Sequence, residues 1–320
     1  MVSIKNSRIL ITGGAGFIGS NLADHLIENN EIVVVDDLSM GKIENLPKST
    51  QLHFFKHSIT DTNFMSKLLV KWNFDYIFLL AAVASVADTI SRPCETHKIN
   101  QDANINVMEM VRVNKLPVKK ILFSSSAAVY GNNPELPKCE SSAIDPISPY
   151  AIDKFASERF VIDYGKLYHI PTVATRFFNV YGPKQNPKSP YSGVLSLISH
   201  SLMNDSIFTI FGDGKQTRDF TYISDVVSAL ELLSANPIAN HEVYNVATEI
   251  PTSLNKVLKI FEKISGKKIT LAYKNERKGD IRDSYADVSK IKQLGFSPRY
   301  SITYGLKKYW DMLNSKRQKG

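Results

Sequence analysis

Tyr150 and Lys154 stand four residues apart in Tyr150-Ala151-Ile152-Asp153-Lys154, so a helix through them puts a phenol and an ammonium on one face. A phenol beside a cation is suited to accept a proton. Its ordinary pKa of about 10 must fall by about 3 to work near neutrality, roughly 4 kcal/mol of preference for the phenolate. One positive charge ~4 Å away at an effective dielectric of ~20 supplies about that much. The spacing alone selects nothing, because Tyr occurs 14 times and Tyr304 with Lys308 repeats it near the C-terminus. What distinguishes Tyr150 is the chain before it: an apolar run ending in Phe123-Ser124-Ser125-Ser126, then a loop of ordinary active-site length. Tyr304 has no such partner and reads as a packing residue.

A second chemical signal lies near the start. Thr12-Gly13-Gly14-Ala15-Gly16-Phe17-Ile18-Gly19 separates an apolar run from an amphipathic one, where glycines permit a tight turn and let a pyrophosphate approach a helix N-terminus. Two templates fit: Gly14, Gly16 and Gly19 as G-x-G-x-x-G, or Gly13, Gly16 and Gly19 as G-x-x-G-x-x-G. A plain strand-helix corner also uses glycines, so the turn gains its meaning from Asp36, about 20 residues on at the end of the next apolar run. A carboxylate there accepts both hydroxyls of an adenosine ribose and repels a 2′-phosphate, which favours NAD over NADP. Asp37 is the neighbouring candidate, and the bland reading of either acid is a loop cap.

These residues need a frame that brings strand ends together. Short runs at Arg8 to Thr12, Ile32 to Asp36, Leu52 to Lys56, Tyr76 to Leu80, Lys120 to Ser124 and Thr172 to Arg176 read as buried parallel strands. Between them, Phe17 to Glu28, Asn63 to Trp72, Thr96 to Val113 and Tyr150 to Tyr168 carry apolar residues at helical spacing. The alternation predicts an α/β fold, a doubly wound parallel Rossmann sheet with ligands at the carboxyl ends of its strands. After Arg176 the rhythm breaks in the Pro-, Gly- and Asn-rich stretch Asn179 to Gly193, and short elements then read as a smaller C-terminal α/β substrate lobe. Tyr222 to Ala247, a helix and a strand, reads as rejoining the sheet. The expected division is residues 1–179 plus about 220–247 for the NAD-binding domain, and about 180–219 with 248–320 for the lobe.

The 320 residues, 43% hydrophobic and 22% charged, suffice for such a domain and lobe, and no low-complexity tract or repeat argues for anything else. A formal charge of +8 invites a nucleic-acid reading, but Lys and Arg are dispersed apart from Lys267-Lys268 and Lys316-Arg317-Gln318-Lys319, so no nucleic-acid partner is expected. A basic surface equally attracts doubly charged nucleotides. Met1 to Arg8 lacks the apolar core of an export signal, and no apolar run is long enough for a bilayer. Cys94 and Cys139 are too few for a disulfide scaffold or a zinc site. The expected setting is the cytoplasm, without membrane or metal.

Five segments, in order, carry a resemblance: Gly13 to Gly19; Ser124-Ser125-Ser126-Ala127-Ala128-Val129-Tyr130-Gly131; Tyr150 to Lys154; Arg176-Phe177-Phe178-Asn179; and Gly212-Asp213-Gly214-Lys215-Gln216-Thr217-Arg218-Asp219-Phe220. Over nearly the whole chain they resemble the UDP-glucose 4-epimerase family of extended short-chain dehydrogenases. The resemblance implies an NAD-dependent isomerase that inverts a hydroxyl of a UDP-linked hexose through a transient 4-keto sugar. It implies Tyr150 as base on the sugar 4-hydroxyl, Lys154 as the cation holding that charge and the nicotinamide ribose, and Ser126 as hydroxyl partner or relay, with Ser125 second. Around NAD it places Gly13, Gly16, Phe17, Ile18, Gly19, Asp36, Asp37, Ser58, Ile59, Leu80, Ala81, Ala82, Asn100 and Phe178. Around the UDP-sugar it places Ser85, Asn179, Arg218, Arg277, Asp280 and Ser284. Arginine suits a pyrophosphate because its fork donates two charge-assisted hydrogen bonds, although Arg277 and Asp280 also read as surface ion pairs. The resemblance further implies a homodimer formed through Thr96 to Val113 and Tyr150 to Tyr168; Phe155 and Phe160 suit such an interface and equally an intrachain core.

Departures from the related patterns narrow the chemistry. Sugar 4,6-dehydratases resemble Thr-Asp-Glu-Val-Tyr-Gly where this chain has Ser126-Ala127-Ala128-Val129-Tyr130-Gly131, and two alanines cannot move the protons of an elimination. The glutamate typical of nucleotide-sugar decarboxylases is missing from the same motif. Val83-Ala84-Ser85 stands where glucose/galactose epimerases have a lysine, and Ser284 stands where a bulky tyrosine often closes the sugar pocket. A small side chain there leaves room for a 2-acetamido group, so UDP-N-acetylglucosamine and UDP-N-acetylgalactosamine are expected substrates. A UDP-glucuronate 4-epimerase, decarboxylase or dehydratase is the alternative within the family. A non-catalytic NAD-binding sensor or scaffold is the alternative outside it, and such a protein has no use for Ser126, Tyr150 and Lys154 together.

Overall fold

The computed structural model describes residues 3–185, 193–276 and 281–317. Strands β1 (Arg8–Thr12), β2 (Glu31–Val35), β3 (Leu52–Phe55), β4 (Tyr76–Leu79), β5 (Lys120–Ser126) and β6 (Thr172–Phe177) lie parallel in one sheet with a seventh strand, Glu242–Val246. From one edge the order is Glu242–Val246, β6, β5, β4, β1, β2, β3, so the winding reverses between β4 and β1. A crevice must open at the carboxyl ends there, because the loops leaving β4 and β1 depart to opposite faces.

Side chains alternate across the sheet and both faces are apolar. Ile9, Ile11, Ile32, Val34, Leu122 and Val173 pack on one face with α1 (Phe17–Leu26), whereas Leu10, Val33, Val35, Ile121, Phe123 and Ala174 pack on the other with α2 (Thr62–Trp72). The second face continues through α3 (Val86–Ser91), α4 (Pro93–His97), α5 (Ala103–Val113) and α6 (Pro149–Tyr168). Strand positions agree with the sequence reading to within a residue or two. The single helix expected over Thr96 to Val113 is instead α4, a π-helical turn at Lys98–Asp102 and α5. The expected Phe17 to Glu28 helix tightens into a 3₁₀ turn at Ile27–Asn29.

Beyond β6 the chain forms α7 (Val194–Met203), returns through Thr221–Tyr222, which pairs with Val180–Tyr181, and enters α8 (Ile223–Ala235). The next strand, Glu242–Val246, pairs with β6 from Val173 to Phe177. The remaining residues build small sheets: Phe208–Phe211 with Leu271–Lys274, and Thr217–Asp219 between Pro251–Ser253 and Asp283–Ser284. Helices α9 (Leu254–Ser265) and Ile302–Arg317 cover them, and Phe261, Trp310 and Leu313 join the same apolar cluster as Ile9 and Leu22. The lobe therefore shares a core with one face of the main sheet. Among the described residues, no helix is long and apolar enough to cross a membrane and no cluster of side chains suits a metal.

Candidate active site

A cavity of about 380 Å³ opens at the winding reversal, a volume ordinary for small-molecule sites. Of the residues expected around NAD, Gly13, Gly16, Phe17, Ile18, Gly19, Asp36, Asp37, Ser58, Ile59, Leu80, Ala81 and Ala82 line it. The glycine turn resolves between its two templates. Gly13 has φ +68°, and a Cβ there would lie 2.7 Å from the Ala81 Cα, so turn and neighbouring strand approach backbone to backbone. Gly14 does not line the cavity and abuts Val34, which leaves Gly13, Gly16 and Gly19 as the spacing that faces a ligand. Helix α1 starts with no side-chain cap, so its first-turn N–H groups and dipole face the cavity that Phe17, Ile18 and Gly19 line.

Asp36 is nearly buried at the rim of this space. One carboxylate oxygen accepts from the Ala15 N–H (3.0 Å) and the other from the Leu38 N–H (2.8 Å), which holds the group flat and leaves each oxygen further acceptor capacity. Burial pushes the Asp36 carboxyl up, and those two N–H groups pull the other way. Thr12, to which the sequence reading gave no role of its own, joins the turn to β4: its hydroxyl donates to the Phe78 carbonyl (3.3 Å) and accepts from the Leu80 and Ala81 N–H groups (3.1 and 3.3 Å).

Strand β5 runs two residues further than expected and delivers its three serines to three different tasks. The Ser124 carbonyl accepts from Lys154 Nζ at 2.7 Å, and the Ser124 hydroxyl lies 3.4 Å from the same ammonium. Ser125 donates to Glu158 at 2.6 Å, and Glu158 is fully buried against Arg176, whose guanidinium donates to both carboxylate oxygens (2.9 and 2.5 Å). The Ser125 proton is thus committed inside the protein, although the residue lines the cavity. Ser126 accepts from the Ala128 N–H (3.2 Å), which fixes its rotamer, and it hydrogen-bonds Tyr150.

Tyr150 and Lys154 both line the cavity from α6, capped at its start by Ser148. Lys154 lies 5.9 Å from the Tyr150 ring centre and 5.0 Å from that of Phe123. Burial is the largest influence on both: it pushes the phenol up, against the Ser126 hydrogen bond, and pulls the ammonium down to about 7, against neighbouring Asp153. The protein walls alone therefore do not produce the phenolate that a simple tyrosine-lysine pairing predicts, because one partly neutral lysine cannot offset the desolvation of both groups.

Several expected residues lie elsewhere. Asn100, on the π-helical turn, is fully buried behind the cavity wall, where its amide accepts from the Val83 N–H (2.8 Å) and donates to the Val83 carbonyl (3.2 Å); it shapes the wall and does not line it. Phe178 is buried against Tyr130, and Phe177 is the ring that lines the cavity, because adjacent residues at the end of β6 point to opposite faces. Ser85 lines the cavity, but its hydroxyl caps α3 by accepting from the Asp88 N–H at 3.0 Å. Asn179 is exposed just beyond β6, with φ +30°. Arg218 and Ser284 come together in the lobe as register partners of adjacent strands, away from the cavity wall. Arg277 and Asp280 lie outside the described residues. Sequence reasoning passed over His57, stacked on Phe64 at 3.9 Å, and the wall residues Lys42, Asn45, Asp88, Lys184 and Gln185.

Comparison with known proteins supports one family. The model described as GDP-mannose 4,6 dehydratase matches residues 10–309. The UDP-glucose 4-epimerase of Thermotoga maritima, solved with UDP-glucose, superposes with a TM-score of 0.90 at 36% identity, over 97% of this chain and 99% of that one. A UDP-N-acetylglucosamine 4-epimerase from Methanobrevibacter ruminantium, in complex with UDP-N-acetylmuramic acid, gives 0.92 at 36% over 98% and 100%. A UDP-glucuronic acid 4-epimerase from Bacillus cereus, in complex with UDP-glucuronic acid and NAD, gives 0.87 at 30% over 97% and 99%. With the glycine turn, the acid at the end of β2, the serine at the end of β5 and the tyrosine and lysine of α6, the chain belongs to the extended short-chain dehydrogenase family of nucleotide-sugar epimerases and dehydratases.

Proposed function

We propose that the protein is an NAD-dependent 4-epimerase of UDP-hexoses that accepts UDP-N-acetylglucosamine and UDP-N-acetylgalactosamine as well as, or better than, UDP-glucose and UDP-galactose. The observation that carries this reading is the convergence of Tyr150 and Lys154 on a dinucleotide cleft, with Ser126 hydrogen-bonded to Tyr150 behind the cavity wall and with Ala127 and Ala128 in place of the acids that an elimination needs. The residues present fit NAD: an uncapped helix N-terminus for a pyrophosphate, a fixed carboxylate for a ribose, and a buried Gln185 Oε1 that lines the cavity and has no partner among the described residues.

NAD, when bound, would supply the hydride acceptor and donor for sugar carbon 4 and a positive charge that would add to Lys154 in favouring the phenolate. Tyr150 receives the 4-hydroxyl proton and gives it back after the keto sugar has turned over. Ser126, its rotamer set by the Ala128 N–H, hydrogen-bonds the same hydroxyl. Asp36 binds the adenosine ribose and the first turn of α1 the pyrophosphate of the cofactor. Arg218 and Ser284 belong to the side of the lobe that grips the UDP-sugar, a role that Asn179, Arg277 and Asp280 share in this reading. A firm hold on the nucleotide with a loose hold on the hexose lets the keto sugar rotate. The similarity to an N-acetylglucosamine epimerase supports the acetamido preference, as does the small side chain of Ser284.

The test is to incubate the purified protein separately with UDP-glucose and UDP-N-acetylglucosamine, first without and then with added NAD, and to follow the 4-epimers by NMR. Formation of either epimer supports the reading. Ser284→Tyr should cut acetamido turnover by about tenfold or more while sparing UDP-glucose, the scale at which a pocket wall discriminates. Equal acetamido turnover in that variant removes the gate argument. Absence of epimer with either sugar and NAD removes the epimerase.

A further inference from the structure

The segment that follows β6 meets α1 at the cavity wall, and one lysine fastens it there. Lys184 Nζ pairs with the Asp24 carboxylate on α1, donates to the Ser20 carbonyl of the same helix (3.3 Å) and donates to the Asn45 carbonyl in the loop after β2 (2.6 Å). The flanking residues repeat the pattern. Asn21 Nδ2 donates to the Pro183 carbonyl at 3.1 Å, and Asn45 Nδ2 donates to the Ala15 carbonyl of the glycine turn at 3.0 Å. Three backbone segments that surround the cavity are thereby joined at one ammonium: the helix that follows the glycine turn, the loop that begins at Asp36, and the start of the chain's path into the lobe.

Three features give this tie a function beyond packing. Lys184 and Asn45 both line the cavity, so the junction is part of the wall and not of the outer surface. The Lys184 side chain is only 22% exposed, which shields its bonds from water more than an ordinary surface pair. The next residue, Gln185, lines the cavity with a buried Oε1 that no described residue satisfies, so its amide is held ready for a group that the cavity receives.

We propose that Lys184 fastens the cofactor cleft: its ammonium holds the post-β6 segment against α1 at the cavity wall, so that bound NAD departs only when this tie opens. Lys184 touches no reacting atom and acts by positioning; Gln185 is the residue that it presents to the cofactor. The inference rests on the NAD reading above and adds to it the residue that governs cofactor retention.

The experiment loads the protein with radiolabelled NAD, removes free cofactor by gel filtration and follows release into excess unlabelled NAD. Lys184→Met, which keeps the chain length and removes the charge, should release NAD about 10- to 100-fold faster, as the loss of one charge-assisted tether implies. Lys184→Arg should restore slow release, because a guanidinium can serve the same carboxylate and carbonyls. Asp24→Asn should fall between, since both carbonyl bonds remain, and as a change at a half-exposed position it carries the test if Lys184→Met does not fold. Release of NAD from both charge-removing variants at the wild-type rate overturns the proposal and leaves the NAD reading intact. A wild-type protein that binds no NAD overturns both.

Discussion

At the scale of single residues, the site is built of groups held away from their ordinary protonation. Lys154 is drawn down to about 7 by burial, and in the unfolded chain it returns to its ordinary value of 10.5. Between those values the unfolded chain binds more protons than the folded one, so stability of the NAD-free protein rises with pH across that window and the penalty is complete below it. Lys154→Met removes the penalty. Its NAD-free form should unfold at higher urea than wild type at pH 7, with the gap narrowing by about 2 kcal/mol by pH 9, while epimerisation is lost. Urea midpoints for both proteins at the two pH values check this; a gap that does not change with pH removes Lys154 as its source. The residue proposed to hold the phenolate charge is thus one that the empty fold holds at a cost.

At the scale of elements, Glu158 and Arg176 join what the serines require. Glu158 lies on α6, one turn beyond Lys154, and Arg176 near the end of β6; between them they hold Ser125 of β5, and Arg176 also donates to the Tyr130 hydroxyl at 2.9 Å. Tyr130 in turn donates to Asn245 in the last strand of the main sheet at 2.7 Å, so one buried network spans three strands and α6. Glu158→Gln leaves Arg176 buried without its counter-charge and should cost about 3–5 kcal/mol of unfolding free energy, measured by urea denaturation, whereas a surface pair such as Arg159 with Asp163 should cost under about 1. Equal losses would make the buried pair ordinary. The strands of this frame were legible in the sequence because buried parallel strands are unbroken apolar runs bounded by glycine and polar turns. The π-helical turn at Lys98–Asp102 was not, since one extra residue in a turn hardly disturbs helical spacing over so short a stretch, yet it is what turns Asn100 toward Val83. Phe177 was missed because the resemblance pointed to its neighbour Phe178, and adjacent residues at a strand end face opposite sides. Lys184 carried no local signal at all, because it sits in a loop and its partners are more than 130 residues away in sequence.

At the scale of the whole molecule, the outer surface of α5 and α6 remains to be accounted for. Phe160, Tyr164 and Tyr168 form a ladder at helical spacing, with ring centres 4.9 and 4.3 Å apart, and Arg112 of α5 lies over the Tyr168 ring at 4.9 Å. Val113, Leu167 and Tyr168 are exposed at the ends of the same two helices. Phe160 and Tyr164 are half buried against the core, so the exposed end of the ladder at Tyr168, with Val113 and Leu167, is the surface suited to meet a copy of the chain about a twofold axis. The homodimer proposed from the family resemblance makes use of this surface. Sedimentation at micromolar concentration should then give twice the chain mass of 35.9 kDa, and Tyr164→Asp, which places a charge in the middle of the ladder beside Glu109, should give the single-chain mass with the NAD cavity unaltered. A wild-type protein that sediments as a single chain at that concentration would show the ladder to be a solvated face, with the proposed epimerase site complete in each chain.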